Sequence, residues 1–181
     1  MAINETELEL LLKALAFAAD KHKDQRRKDV AASPYINHPI ALASILCNEG
    51  HVTDIDIICA ALLHDTLEDT DTEPQELTAE FGAHIAAIVM AVSDDKTLPK
   101  AERKRLQIEH AAQASDQAKR VKLADKTANL RDMADHPPAG WPLERRQEYF
   151  DWAKAVIDRI RGVDPGLEQL FDNAYAKRPI E

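Results

Sequence analysis

A chain of 181 residues with 32 acidic against 23 basic side chains has a formal net charge of −9, which argues against a protein whose main work is coating DNA or RNA, because neutralising phosphates takes a broad surplus of Lys and Arg. The acidic opening MAINETELEL and the short apolar run ICAALL fit neither a signal peptide nor a membrane span, which needs roughly 20 apolar residues, so the cytoplasm is the expected compartment. Cys47 and Cys59 are isolated, lack the spacing of a zinc knuckle or a disulfide framework, and are expected to be core thiols.

Five glycines, few aromatics and many Ala, Leu and Ile make an all-α domain spanning residues 1–181 the expectation. Leu8, Leu11, Leu12 and Leu15 form a stripe at helical spacing in a first helix over about residues 5–23. Pro39 suits the first turn of a second helix that carries Ile40, Leu42, Ile45 and Leu46 to Gly50. A third starts from Thr53 or Asp54, both fair N-caps, and continues through Ile55, Ile58 and Leu62 into HDTLED. Thr72, Pro74 and Gln75 form a capping-box start for a fourth that ends at Gly82. Further helices are predicted over 84–92, 99–114, 116–133, 144–161 and 166–176, with loops at 24–37, 93–98 and 134–142.

The stretch ALLHDTLEDT, residues 61–70, ends an apolar run with one histidine and three carboxylates. Residues three and four apart share a helix face, so a continuous helix would set His64 in a row with Glu68, and Asp65 with Asp69. A lone His-Asp doublet more often means a satisfied histidine and a surface aspartate, but Glu68 and Asp69 add ionisable groups that need a metal, counter-ions or a wet cleft. Imidazole and carboxylate together favour Mn, Fe, Zn or Co, yet one doublet supplies too few ligands. PYINHP offers His38 at a helix edge, and KLADKTANLRDM offers Asp125 with Asn129 one turn on. Taken alone, Asp125 reads more simply as a salt bridge to Lys122 or Arg131 on a wet face.

The order His38, His64-Asp65, Asp125 resembles the HD phosphohydrolase superfamily. RRKD, PYINHP, AALLHDTLEDT, DDKTLPK, ERKRLQ, VKLADKTANLRD and the GW…EYF…WA segment together are similar to the small, hydrolase-only relatives of the RelA/SpoT alarmone enzymes, over about residues 8–171. The resemblance implies a single HD-domain helical bundle with one manganese ion on His38, His64, Asp65 and Asp125, and Glu68 and Asp69 organising the attacking water. It also implies Arg27 and Lys28 at the guanine and phosphate mouth, Tyr35 lining the pocket, and Asn129 at the sugar. The implied activity is hydrolysis of guanosine tetra- or pentaphosphate, (p)ppGpp, to GDP or GTP plus pyrophosphate, with no nucleic-acid or membrane partner and the oligomeric state left open. Thr127 stands where a larger residue is expected and would reshape the pocket. The other histidines, His22, His51, His84, His110 and His136, lack the acids a second metal would need. Trp141, Tyr149, Phe150 and Trp152 read as a packing cluster, with Arg145 or Arg146 reaching a distal phosphate. The rival readings are a phosphatase for another nucleotide such as NADPH, and a regulatory module that binds alarmones without cleaving them; Glu68 and Asp69 disfavour the latter, since a sensor needs no water-activating pair.

Overall fold

The computed structural model describes residues 4–180, and the α-helices among them run in the order α1 (Glu5–Lys21), α2 (Asn37–Ser44), α3 (Ile55–Leu63), α4 (Thr66–Asp69), α5 (Pro74–Val92), α6 (Lys100–His110), α7 (Asp116–Asp135), α8 (Leu143–Ile157) and α9 (Pro165–Tyr175). Among the described residues the only β-pairing is an isolated antiparallel bridge between Arg26 and Pro34. No described helix is long and apolar enough to cross a membrane.

Local chemistry explains most boundaries. Asn4 and Glu7 cap α1 reciprocally, each side chain accepting from the other's backbone N–H at 2.9 Å. Asp54 caps α3 by accepting from the Asp56 N–H at 3.0 Å, and Ser115 caps α7 through the Ala118 N–H at 3.2 Å. Pro74 opens α5, but the N-cap is Glu73 without a side-chain bond. The capping box expected at Thr72 does not form, because the Thr72 hydroxyl is paired with that of Thr70 at 2.7 Å. Gly82 breaks α5 with φ +83°, a conformation that costs L-residues strain, so the expected stop at Gly82 and restart after it both hold.

Three expectations give way to packing. Leu8 and Leu12 of the α1 stripe stay exposed; the face that meets α3 is built on Ala14 and Ala18, whose small side chains let the helices approach closely, flanked by Leu11 and Leu15. The chain after α2 widens into a π-helical turn, Ile45–Glu49, closed by the Gly50 N–H donating to the Ile45 carbonyl at 2.8 Å. That turn buries Ile45 and Leu46 and leaves Cys47 exposed, so only Cys59 is a core thiol.

Every residue of α3 from Ile57 to Leu63 is buried. Beside it α7 is buried on most of its circumference and packs on α2, α3, α5, α8 and α9. These two central helices carry the polar groups of the site.

Candidate active site

The apolar helix α3 does not continue through HDTLED. It stops at Leu63, His64 and Asp65 make a corner, and the single turn α4 follows. At that corner side chains take carbonyls of α3: His64 Nδ1 donates to the Ala61 carbonyl at 2.8 Å, and the Thr66 hydroxyl donates to that of Leu63 at 2.7 Å. The corner, rather than one continuous helix face, therefore aims these groups.

His38 enters from the first turn of α2 and Asp125 from the middle of α7. His64 Nε2 lies 2.9 Å from Asp65 Oδ2 and 3.9 Å from Asp125 Oδ1. His38 Nε2 lies 3.3 Å from Asp125 Oδ1 and 3.9 Å from Asp65 Oδ2. Ligands held about 2.1 Å from one shared ion stand roughly 3 to 3.5 Å apart, so His38, His64 and Asp65 are close enough to share one, and Asp125, 3.3 and 3.9 Å from the two imidazoles, lies beside them outside that mutually close set. His64 Nδ1 carries its hydrogen to Ala61, which leaves the buried Nε2, beside the Asp65 carboxylate, as the nitrogen that can bind a metal once it gives up its proton. Among the described residues, His38, His64 and Asp65 form the only set of three or more His, Cys, Asp or Glu side chains with donors mutually close enough for a metal.

Neighbouring groups set the charges of this donor set. Burial keeps His38 below its ordinary pKa. Burial opposes charge on His64 as well, but the Asp65 carboxylate overrides it and raises His64 to about 9. The carboxylates of Asp65 and Asp125 lie below the usual range despite burial, the first through His64, the second through the Lys126 ammonium and His38. Asp125 is not on a wet face, and its lysine is not Lys122: Lys126 Nζ bonds it at 2.9 Å, while Arg131 is engaged by Glu49 at 2.7 and 2.8 Å. Asn129 Nδ2 donates to Asp125 Oδ1 at 2.5 Å, and the Tyr35 hydroxyl donates to Asp65 Oδ2.

Glu68 and Asp69 occupy unlike environments. Glu68, its side chain 13 % exposed, accepts from the Asp94 N–H at 2.7 Å, and burial pushes its carboxyl up to about 7. Asp69, 33 % exposed, lies at the rim and pairs with Lys96 Nζ at 2.7 Å. Lys122 is buried behind this group, which lowers its ammonium to about 8.

Two connected spaces open on these groups. An inner chamber of about 170 Å³ holds the four donors, Glu68 and Lys122. An outer cavity of about 800 Å³ is lined by Lys28, Asp69, Lys96, Trp141 and Tyr149, and Arg27, Tyr35, His38 and Asn129 border both. Arg27 is held at the mouth by Asp132 at 2.5 Å, and its guanidinium lies 5.7 Å from the centre of the Tyr35 ring. The DVAAS loop folds on itself, Asp29 accepting from the Ser33 N–H at 3.0 Å, which keeps Arg27 and Lys28 at the opening.

The aromatic cluster is only partly packing. Phe150 is core, but Trp141 and Tyr149 wall the cavity, and Arg145 stacks 3.9 Å over the Trp141 ring. Thr127 does not line either space; it is buried and its hydroxyl donates to the Leu123 carbonyl at 2.8 Å. Sequence reasoning missed Lys126 because neighbours in a helix normally point apart, and missed the roles of Lys96 and Asp94 because a loop's position has no periodicity. DDKTLPK was the available signal for the latter two.

Comparison with known proteins agrees with this geometry. A family model described as HD domain matches residues 14–151. The chain is 51 % identical to a guanosine-3′,5′-bis(diphosphate) 3′-pyrophosphohydrolase, MESH1, of Danio rerio over 99 % of each chain. It is 51 % identical to the MESH1 of Homo sapiens over 97 % of this chain and 98 % of that one. A solved structure described as a metazoan orthologue of SpoT that hydrolyses ppGpp superposes with a TM-score of 0.92 at 44 % identity, covering 100 % of both chains.

Proposed function

Because the chain belongs to the HD-domain family and matches its MESH1-type guanosine-3′,5′-bis(diphosphate) 3′-pyrophosphohydrolases over nearly its whole length, we propose that it hydrolyses guanosine tetra- or pentaphosphate to GDP or GTP and pyrophosphate. The observation that carries this reading is the buried set His38, His64, Asp65 and Asp125 opening beneath a cationic, aromatic-walled cavity. His38, His64, Asp65 and Asp125 are assigned as ligands of one divalent ion, taken as manganese from the family resemblance and compatible with the mixed nitrogen and oxygen donors. Such an ion supplies Lewis-acid stabilisation of phosphate charge and makes water more acidic.

The residues of the chain do the rest. Glu68, inside the chamber and with its carboxyl near 7, is assigned the proton of the attacking water, since a base working near neutral pH is best matched there. Asp69, held by Lys96, orients that water from the rim. The water oxygen bonds to the phosphorus attached to O3′, the bond from that phosphorus to O3′ breaks, and a proton returns to O3′. Pyrophosphate leaves with the new oxygen, and the 5′-diphosphate is untouched. Asn129 positions the ribose, while Arg27, Lys28 and Lys96 replace solvent around the outer phosphates.

Hydrolysis of the tetraphosphate in ¹⁸O-labelled water by the manganese-loaded protein tests this. Pyrophosphate carrying one label beside unlabelled GDP is the expected product pair. Orthophosphate as first product, or turnover only of a 2′-phosphorylated dinucleotide such as NADPH, would replace the reading with a general phosphatase. Binding without cleavage would make the chain a regulatory module.

A further inference from the structure

His22 sits at the C-cap of α1, 1 % exposed, with its ring 4.9 Å from that of Tyr35. Its Nδ1 lies 2.8 Å from Gln25 Oε1, and Gln25 Nε2 donates to the main-chain carbonyl of Asp69. A carbonyl only accepts, so the Gln25 amide has one orientation: nitrogen to Asp69, oxygen to His22. His22 Nδ1 is therefore the hydrogen-bearing nitrogen. Its Nε2 is buried without a partner, a cost that a residue serving only to fill space would avoid.

The loop that follows ties this chain of contacts to the site. The Tyr35 N–H donates to the Gln25 carbonyl at 3.1 Å, and the Arg27 N–H to the Ser33 carbonyl at 2.8 Å, closing the loop on itself. Tyr35, backed by His22, then donates its hydroxyl to Asp65. From one end of α1, contacts thus reach the Asp69 main chain and the Asp65 carboxylate, on both sides of Glu68.

We infer that His22 and Gln25 are positioning residues for the hydrolytic step, Gln25 fixing the main chain of Asp69 and His22 fixing both the Gln25 amide and the Tyr35 ring that orients Asp65. The consequence for rate rests on the proposed reaction; the fixing of the corner does not. Metal ligands and bases need this kind of support, because small errors in their orientation are expensive at the transition state.

The test uses the full chain loaded with manganese and the variants Gln25→Met, His22→Leu and His22→Asn. Asn places an N–H close to where His22 has Nδ1, so it restores the bond to Gln25 without the ring. Gln25→Met should lower kcat about 10- to 100-fold, with manganese stoichiometry unchanged. Amide hydrogen exchange over residues 65–70 should speed up while that of α7 stays constant. His22→Asn should recover much of what His22→Leu loses. Exchange over 65–70 in Gln25→Met indistinguishable from the parent would overturn the inference, as would a His22→Asn variant no better than His22→Leu. Should the parent fail to cleave the tetraphosphate, the proposed reaction fails, and the exchange measurement alone decides the inference. Gln25, at the partly exposed rim, is the variant least exposed to misfolding, so a His22→Leu protein that does not fold leaves the test intact.

Discussion

Glu68 is the residue whose chemistry depends most on its surroundings. Its folded-state carboxyl, near 7, lies above the ordinary 4.5 because burial disfavours the anion. A group raised in this way contributes no penalty below pH 4.5 and loses stability for the fold as pH rises through about 7. Glu68→Gln should therefore stabilise metal-free protein at pH 8, by up to about 3 kcal/mol, and change little at pH 4.5. Urea titrations of both proteins at the two pH values check the sign, and equal differences at both would refute it. With Glu68 as the proposed base the ionised carboxylate is the working form, so kcat should rise with pH along a limb set by Glu68, and Glu68→Gln should lower it by about two to four orders of magnitude. The proposed ligands and the proposed water-handling groups separate by the same logic. Alanine at His64 or Asp65 should lose manganese, whereas alanine at Glu68 or Asp69 should keep it. Equal metal loss in the two groups, read by elemental analysis, would erase the distinction between them.

At the scale of elements, two glycines test different constraints. A Cβ on Gly50 would stand 2.4 Å from Cδ2 of the buried Leu167, where the π-helical turn meets α9. Gly82 has open space around it but φ +83°. Gly50→Ala should cost about 1–3 kcal/mol by overpacking, and Gly82→Ala about 1–2 kcal/mol by backbone strain. Adding Leu167→Ala should relieve the first and not the second. Additive costs in the Gly50→Ala, Leu167→Ala double variant would show that close packing is not the reason for Gly50.

At the scale of the molecule, the proposed ligands tie together α2, the α3–α4 corner and α7, which are separated in sequence and adjacent only in the fold. A ligand that binds the folded state alone stabilises it by mass action, about 4 kcal/mol at 1,000 times its Kd. Chelation should therefore lower Tm as well as abolish turnover, and a calorimetric Tm unaffected by chelator would remove the metal from the account of stability. A net charge of −9 coexists with a cationic mouth at Arg27, Lys28 and Lys96. Capture of a polyanion there is exposed to screening, so KM should climb with ionic strength while kcat holds; a KM insensitive to salt would argue against that mouth as the phosphate site.

The helical class, the cap at Asp54, Pro74 in a first turn and the break at Gly82 were all legible along the chain, because helix period, caps and glycine strain act over a few residues. So were the residue types of the site, through the order of motifs from PYINHP to KLADKTANLRD. Only the tertiary structure decided that Leu8, Leu12 and Cys47 face outward, that α3 ends before its polar motif, that Lys126 rather than Lys122 answers Asp125, and that Glu68 is buried while Asp69 meets the rim. The physical reason is common to all four. Burial, desolvation and the choice of hydrogen-bond partner depend on which surfaces distant segments bring into contact, and that is a property of the packed chain that local spacing does not carry.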